Sequence, residues 1–248
     1  MTALTMTLVV VTMLGTAFLS GVFGMAGGLI LMGVLLTLLP LPAAMALHAV
    51  TQIASNGWRA VLWYRHIHWR SAAGFLCGSV SAFALWALWQ YVPGKAVAFL
   101  MLGASPFLAR MVPPALRADP INPVNGAFYG ACCMSLLLLT GVSGPLMDTF
   151  FLGKARLDRH AVVATKAACQ VFGHLAKFLY FGNLIAGAGS VDPLLGGLAV
   201  LASIIGTSAA RPVLERMGDG QYRLWANRII YTLATLYLIQ GTYLLATS

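Results

Sequence analysis

Apolar segments long enough to cross a bilayer recur along the whole chain, and this constrains the fold more than any other feature. A membrane-spanning helix needs roughly 20 predominantly apolar residues. Runs of about that size occupy 4–21, 43–64, 72–91, 96–111, 126–139, 161–181, 194–210 and 224–247. Only 8% of the 248 residues are charged and 60% are hydrophobic, whereas a soluble domain carries about 25% charged residues. A transmembrane β-barrel would instead show short alternating strands between turns, and none are visible. The expectation is an all-α, polytopic membrane protein. The first run has no basic segment ahead of it, so it reads as a retained helix rather than a signal peptide.

The remaining composition narrows the functional classes. Fifteen Lys and Arg against six Asp and Glu give a net charge of +9. The basic residues sit mostly in short loops, where membrane topology accounts for them, so no nucleic-acid partner is expected. Cys77, Cys132, Cys133 and Cys169 all fall within apolar runs and form no Cys-x-x-Cys pair. They are expected to pack as small hydrophobes, without a metal, cofactor or disulfide role. No phosphate-binding P-loop occurs, so any transport is secondary or passive unless another subunit supplies ATP hydrolysis.

The chain reads as two similar halves. The longest polar connection, 113–124, separates a first membrane repeat, 1–112, from a second, 125–248. Each half opens on an apolar segment broken by glycine: Gly24-Met25-Ala26-Gly27-Gly28 in the first, Gly141-Val142-Ser143-Gly144-Pro145 in the second. A short apolar arm follows each break, 29–39 and 146–152, and then a helix opening near Ala43 or Ala161. With Ala43 laid on Ala161, His48 falls on Lys166, Gln52 on Gln170, Asn56 on His174 and Arg59 on Lys177. At 100° per residue each set of four lies within about 80° and makes one polar stripe on an otherwise apolar helix. Such a stripe can simply hold two membrane helices together. Ionisable groups inside spans are costly, however, and usually face a partner or an aqueous path. Arg59 and Lys177 can also be read as snorkelling to headgroups.

Loop charge favours one topology. If each broken segment were a single long helix, Arg65 and Arg70 would lie opposite Lys154, Arg156 and Arg159, against the positive-inside rule. If each is a hairpin that enters and leaves on one face, Arg65, Arg70, Arg110, Arg117, Lys154, Arg156, Arg159, Arg211, Arg216 and Arg223 share one face and only Lys95 lies opposite. Each half then contains a hairpin plus three crossings. Three is odd, so the halves are inverted repeats, a common architecture of secondary transporters. Both termini are expected outside the inner membrane. The second arm of each hairpin is expected to start near mid-membrane with free N–H groups, which attract anions. A glycine kink that merely eases helix packing is the plainer alternative.

The segment Gly21-Val22-Phe23-Gly24-Met25-Ala26-Gly27-Gly28, the helix start at 42–52 and the repeated Ala164-Thr165 ahead of the second stripe resemble the TauE/SafE (TSUP) family of sulfite exporters across essentially the full chain. Ala26 and Ser143-Gly144-Pro145 stand where that family usually shows more glycine. The resemblance implies a sulfur-containing or carboxylate substrate such as sulfite, thiosulfate or a sulfonate; the residues themselves indicate only a small anion. The candidate binding residues are Gln52, Gln170, Asn56, His174, Lys166, Gly27, Gly28, Ser143 and Gly144. Arg59 and Lys177 are candidates for gating or charge compensation. His48 and His174 are candidates for proton exchange, because histidine titrates near neutral pH. The expected partners are the anion, the bilayer and a proton or other coupling ion, with homo-oligomeric assembly left open. The competing readings are a passive anion channel and a membrane assembly factor. An enzyme is not expected: Asp148 and His174 have no matching second carboxylate or zinc motif.

Overall fold

The computed structural model describes residues 3–23, 26–113, 118–151, 157–184 and 192–247. Among them are ten α-helices and no strand: α1 (Ala3–Phe23), α2 (Ala26–Leu38), α3 (Leu41–Leu62), α4 (Trp69–Trp89), α5 (Lys95–Met111), α6 (Pro123–Thr140), α7 (Gly144–Phe151), α8 (Arg159–Leu179), α9 (Pro193–Arg216) and α10 (Asp219–Ala246). Five of them, α1, α4, α6, α9 and α10, are long and apolar enough to cross a membrane. The stripe-bearing helices α3 and α8 run to 22 and 21 residues, a comparable length, but their polar residues make them less apolar. Outward-facing Leu85, Leu88, Leu201, Ile205, Leu236 and Ile239 are more than half exposed, as expected of side chains whose solvent is lipid.

Helix pairing shows the repeat directly. The most extensive pairings are α4 with α6, α1 with α9, α5 with α10 and α3 with α8. Exchanging α1–α5 for α6–α10 maps this set onto itself. Orientation agrees. On α3 and α8, His48 meets Lys177 while Trp63 meets His160, so these equivalent helices run antiparallel. On α5 and α10, Phe99 stacks near Tyr237 and Phe107 near Tyr231, again antiparallel. The repeats are therefore inverted. Small residues permit the close crossings, as membrane helices require. A Cβ on Gly103 would sit 2.6 Å from the Ala234 carbonyl, and one on Gly206 would sit 2.5 Å from that of Leu14.

The broken segments are helix pairs with unequal arms. Their first arms, α1 and α6, have 21 and 18 residues, about 30 and 27 Å at 1.5 Å per residue. Their returning arms, α2 and α7, have 13 and 8, about 20 and 12 Å. Each first arm is thus nearly as long as a full span, and the break lies at its far end rather than halfway along it. The reason is local: nothing in 3–23 or 123–140 interrupts the main-chain ladder before the glycines. Helices α3 and α8 open at Leu41 and Arg159, two residues ahead of Ala43 and Ala161 in both halves, so the register is kept. Helix α6 opens at Pro123 with Asn122 capping the amides of Val124 and Asn125, inside the 113–124 stretch. Gly24, Met25, Arg117, Lys154 and Arg156, and the side chains of Arg159, Arg211 and Arg223, lie outside the described residues.

Candidate functional site

Because α3 and α8 pack antiparallel, their stripes slide past each other and meet at the ends of the broken segments. The second break forms as its sequence demands. Thr140 bonds the Val142 carbonyl at 2.7 Å and accepts from its N–H at 3.1 Å. Gly141 ends α6 at φ 84°, left-handed backbone in which any other L-residue is strained. A Cβ there would also run into the Met32 side chain. Gly144 and Pro145 then open α7. At the first break, Gly27 lies flush against the α1 backbone at Thr16 and Ser20, while a Cβ on Gly28 would stand 3.5 Å from the Gln52 amide.

One hydrogen-bonded strut joins the two breaks. The His48 Nε2 lies 3.0 Å from the Gly28 carbonyl, its Nδ1 lies 2.8 Å from Lys177 Nζ, and Lys177 donates to the Gly141 carbonyl at 3.0 Å. A carbonyl can only accept. The assigned tautomer of His48 therefore carries its proton on Nε2 and accepts from Lys177 at Nδ1. Lys177 and His48 are 0% and 1% exposed, so Lys177 does not reach a headgroup. No carboxylate among the described residues bonds it. Arg59 is half-buried, donating to the Ser20 carbonyl at 3.0 Å and to Asn56 Oδ1 at 3.4 Å. Asn56 in turn donates to the Gln52 main-chain and side-chain oxygens. The first stripe thus closes on itself and on the carbonyls of its own broken segment. Tyr237 of α10 adds a bond to the Leu29 carbonyl.

The second stripe is arranged differently. His174 lies 5.5 Å from His48, ring to ring. It is buried, and its Nδ1 has no hydrogen-bond partner among the described residues. It shares the wall of a narrow pocket with Gln170, Ser143, Ser79, Cys133 and Cys169. The pocket's free core of about 10 Å³ suits one water and is too small for a sulfite-sized anion. Lys166, one turn before Gln170, pairs with Asp148 on α7. The structure brings Gln170, His174 and Ser143 together at this pocket, and Gln52, Asn56, Arg59 and Gly28 together at the first break. Gly27 is enclosed by α1, and Gly144 opens the arm below Ser143.

Here sequence reasoning missed two features. The break carbonyls are held by basic side chains, and Lys166 has an acidic partner. A signal for the second existed: Asp148 is the one carboxylate within an apolar run, and such a group calls for a cation.

The profile of the family described as Sulfite exporter TauE/SafE matches residues 8–238. The chain belongs to the sulfite exporter TauE/SafE family. This is a family of membrane transporters rather than enzymes. Neither a curated protein nor a solved structure matches significantly. For a TauE/SafE member, a pocket bounded by the second broken segment, the stripe helix α8 and α4 is where an anion path should be sought.

Proposed function

We propose that this TauE/SafE protein is a secondary transporter that moves a small oxyanion, such as sulfite, thiosulfate, a sulfonate or a related carboxylate, by alternating access. The observation that carries the reading is the buried, unpartnered His174 Nδ1 on the wall of a pocket it shares with Gln170 and Ser143 at the start of α7. A buried polar atom without a partner costs about 1–3 kcal/mol, and a ligand oxygen bridged to it removes that cost. Gln170 offers an amide donor, and Lys166 stands one turn from it on α8. Gln52 and Asn56, the equivalents on α3, would serve the same ion from the other side of the strut once the helices separate. The pocket holds about one water, so entry of an anion requires the second broken segment and the helices around it to part.

The basic loops support an inner-membrane placement with both termini outside and the segment near Arg156 cytoplasmic; accessibility of tags at these three places checks it. The functional test is a flux screen in liposomes containing only this protein, across sulfite, thiosulfate, methanesulfonate and small carboxylates. Saturable, selective flux that His174→Ala or Gln170→Ala weakens is the expected result. A well-folded protein that moves none of these anions would falsify the reading.

A further inference from the structure

The heads of the two stripes differ in an ionisable contact. In the first half, the residue at the head of the stripe, His48, bonds a main-chain carbonyl of its returning arm. In the second half the equivalent residue, Lys166, meets the side chain of Asp148 on its returning arm. The same register places Ile30 of α2 at the position of Asp148, so the first arm offers no carboxylate. Asp148 directly follows Met147, a wall of the pocket, and Lys166 stands one turn from Gln170. Cys133, another wall residue, lies within electrostatic range of both. The Lys166 and Asp148 side chains are 13% and 27% exposed, so the pair is partly exposed where the strut is buried.

We infer that Asp148 is the proton-coupling residue of the carrier, a built-in counter-anion that holds Lys166 until a proton neutralises it. The inference rests on the transport reading above. With Asp148 ionised, Lys166 is already compensated, and an oxyanion entering beside Gln170 meets an adjacent carboxylate. A proton from the loading side, placed on a carboxyl oxygen of Asp148, removes that repulsion and frees the Lys166 ammonium for the anion. On the opposite side the anion leaves, Lys166 returns to Asp148, and the proton departs to that side. One proton crosses with each anion, and no other charge is consumed. Linkage makes the effect reciprocal: protonation tightens anion binding and the anion favours protonation.

The other groups facing Asp148 do not replace it in this role. From α8 it faces Lys166; Cys169 lies within electrostatic range of Cys133. From α6 it faces Cys133, with Cys132 beside it. From α5 the nearest charge is Arg110, whose guanidinium lies over the Tyr231 ring at 5.4 Å. Lys154 and Arg156, on the chain beyond α7, lie outside the described residues.

The experiment measures thiosulfate and methanesulfonate flux in liposomes, with internal pH and membrane current recorded together. Both anions stay ionised across a sweep from about pH 4 to about pH 8, whose acid end reaches the ordinary carboxylate value of about 4. The wild type should carry one proton with each anion and bind more tightly as the pH falls. Asp148→Asn should bind the anion about tenfold more tightly at the high-pH end, lose the pH dependence, and move one more negative charge per anion. Asp148→Glu should keep the coupling. Should Asp148→Asn fold poorly, Asp148→Asn with Lys166→Gln removes both charges, and that pair should also lose proton movement. An Asp148→Asn protein with the wild-type pH profile and charge per anion would overturn the inference while leaving transport intact. A folded wild type that moves neither these two anions nor sulfite nor a small carboxylate would overturn the transport reading and the coupling with it.

Discussion

The two repeats apply one template to different ends. In the first, every stripe residue has its contact: His48 with the Gly28 carbonyl, Gln52 with Asn56, and Arg59 with Asn56 and the Ser20 carbonyl. In the second, Lys177 is absorbed into the strut, His174 Nδ1 has no partner among the described residues, and Gln170 faces a pocket. Similar polar patterns on antiparallel helices thus produce a closed half and an open one. The difference follows from residue type at matched positions. Arg59 is a long planar donor that reaches back along its own broken segment. Its equivalent, Lys177, crosses to His48 on the other stripe and ties the two halves together. A polar stripe in a membrane therefore need not be all glue or all binding site.

The largest effect should come from breaking the tie between the halves. Lys177→Met leaves the Gly141 carbonyl and His48 Nδ1 without their donor, at about 1–3 kcal/mol for each unsatisfied group. Anion flux should be lost and the thermal midpoint in detergent should fall. Wild-type flux from this variant would show that the strut is dispensable.

Next comes the contrast between the glutamines. Gln170→Ala should weaken anion binding to the purified protein by roughly tenfold to a hundredfold, the loss of about 1.5–3 kcal/mol for a hydrogen bond to a charged group. Gln52→Ala should cost less, because its amide already serves Asn56. Equal losses would mean that both halves bind the ion alike; no loss at either would reduce the stripes to packing. Gln90, exposed at the end of α4, serves as the control.

The breaks themselves should differ by a smaller margin. Gly141→Ala forces a side chain into left-handed backbone, at about 1–2 kcal/mol, and into Met32. Gly28→Ala finds ordinary contact distances at the Gln52 amide. The first should lower stability and flux measurably, and the second should lower flux mildly with stability unchanged. The reverse order would undo the assignment of the second break as the strained one.

The smallest effect lies outside the membrane core. Asp158 caps α8, and the Ala161 N–H, then the His160 N–H, hold its carboxyl below the usual range. A carboxyl lowered by folding contributes stability above its unfolded value and loses it as the pH falls through the folded one. Asp158→Ala should therefore slightly lower the thermal midpoint at neutral pH and match the wild type in acid. A difference that persists in acid would point to lost packing rather than the lost cap.

Much of this was legible because it depends on local periodicity. Spacings of three and four place His48, Gln52, Asn56 and Arg59 on one helix face, and the same rule applies to Lys166, Gln170, His174 and Lys177. Loop charge distinguished paired arms from single long helices, and an odd number of crossings required inversion. The glycines located the breaks, because Gly141 ends α6 in backbone that other residues resist.

Tertiary structure decided which of these groups touch. His48 and Lys177 are far apart in the chain, and nothing in their local sequence indicates that antiparallel packing of α3 on α8 sets them 2.8 Å apart. The same holds for Lys166 and Asp148, joined only because the short arm α7 returns alongside α8. The apolar runs and their inverted order were determined by sequence, since hydrophobicity and helical period act over neighbouring residues. The closed half, the open pocket and the orphaned His174 nitrogen were settled only by packing, because a buried polar atom's partners are chosen by the helices that arrive beside it.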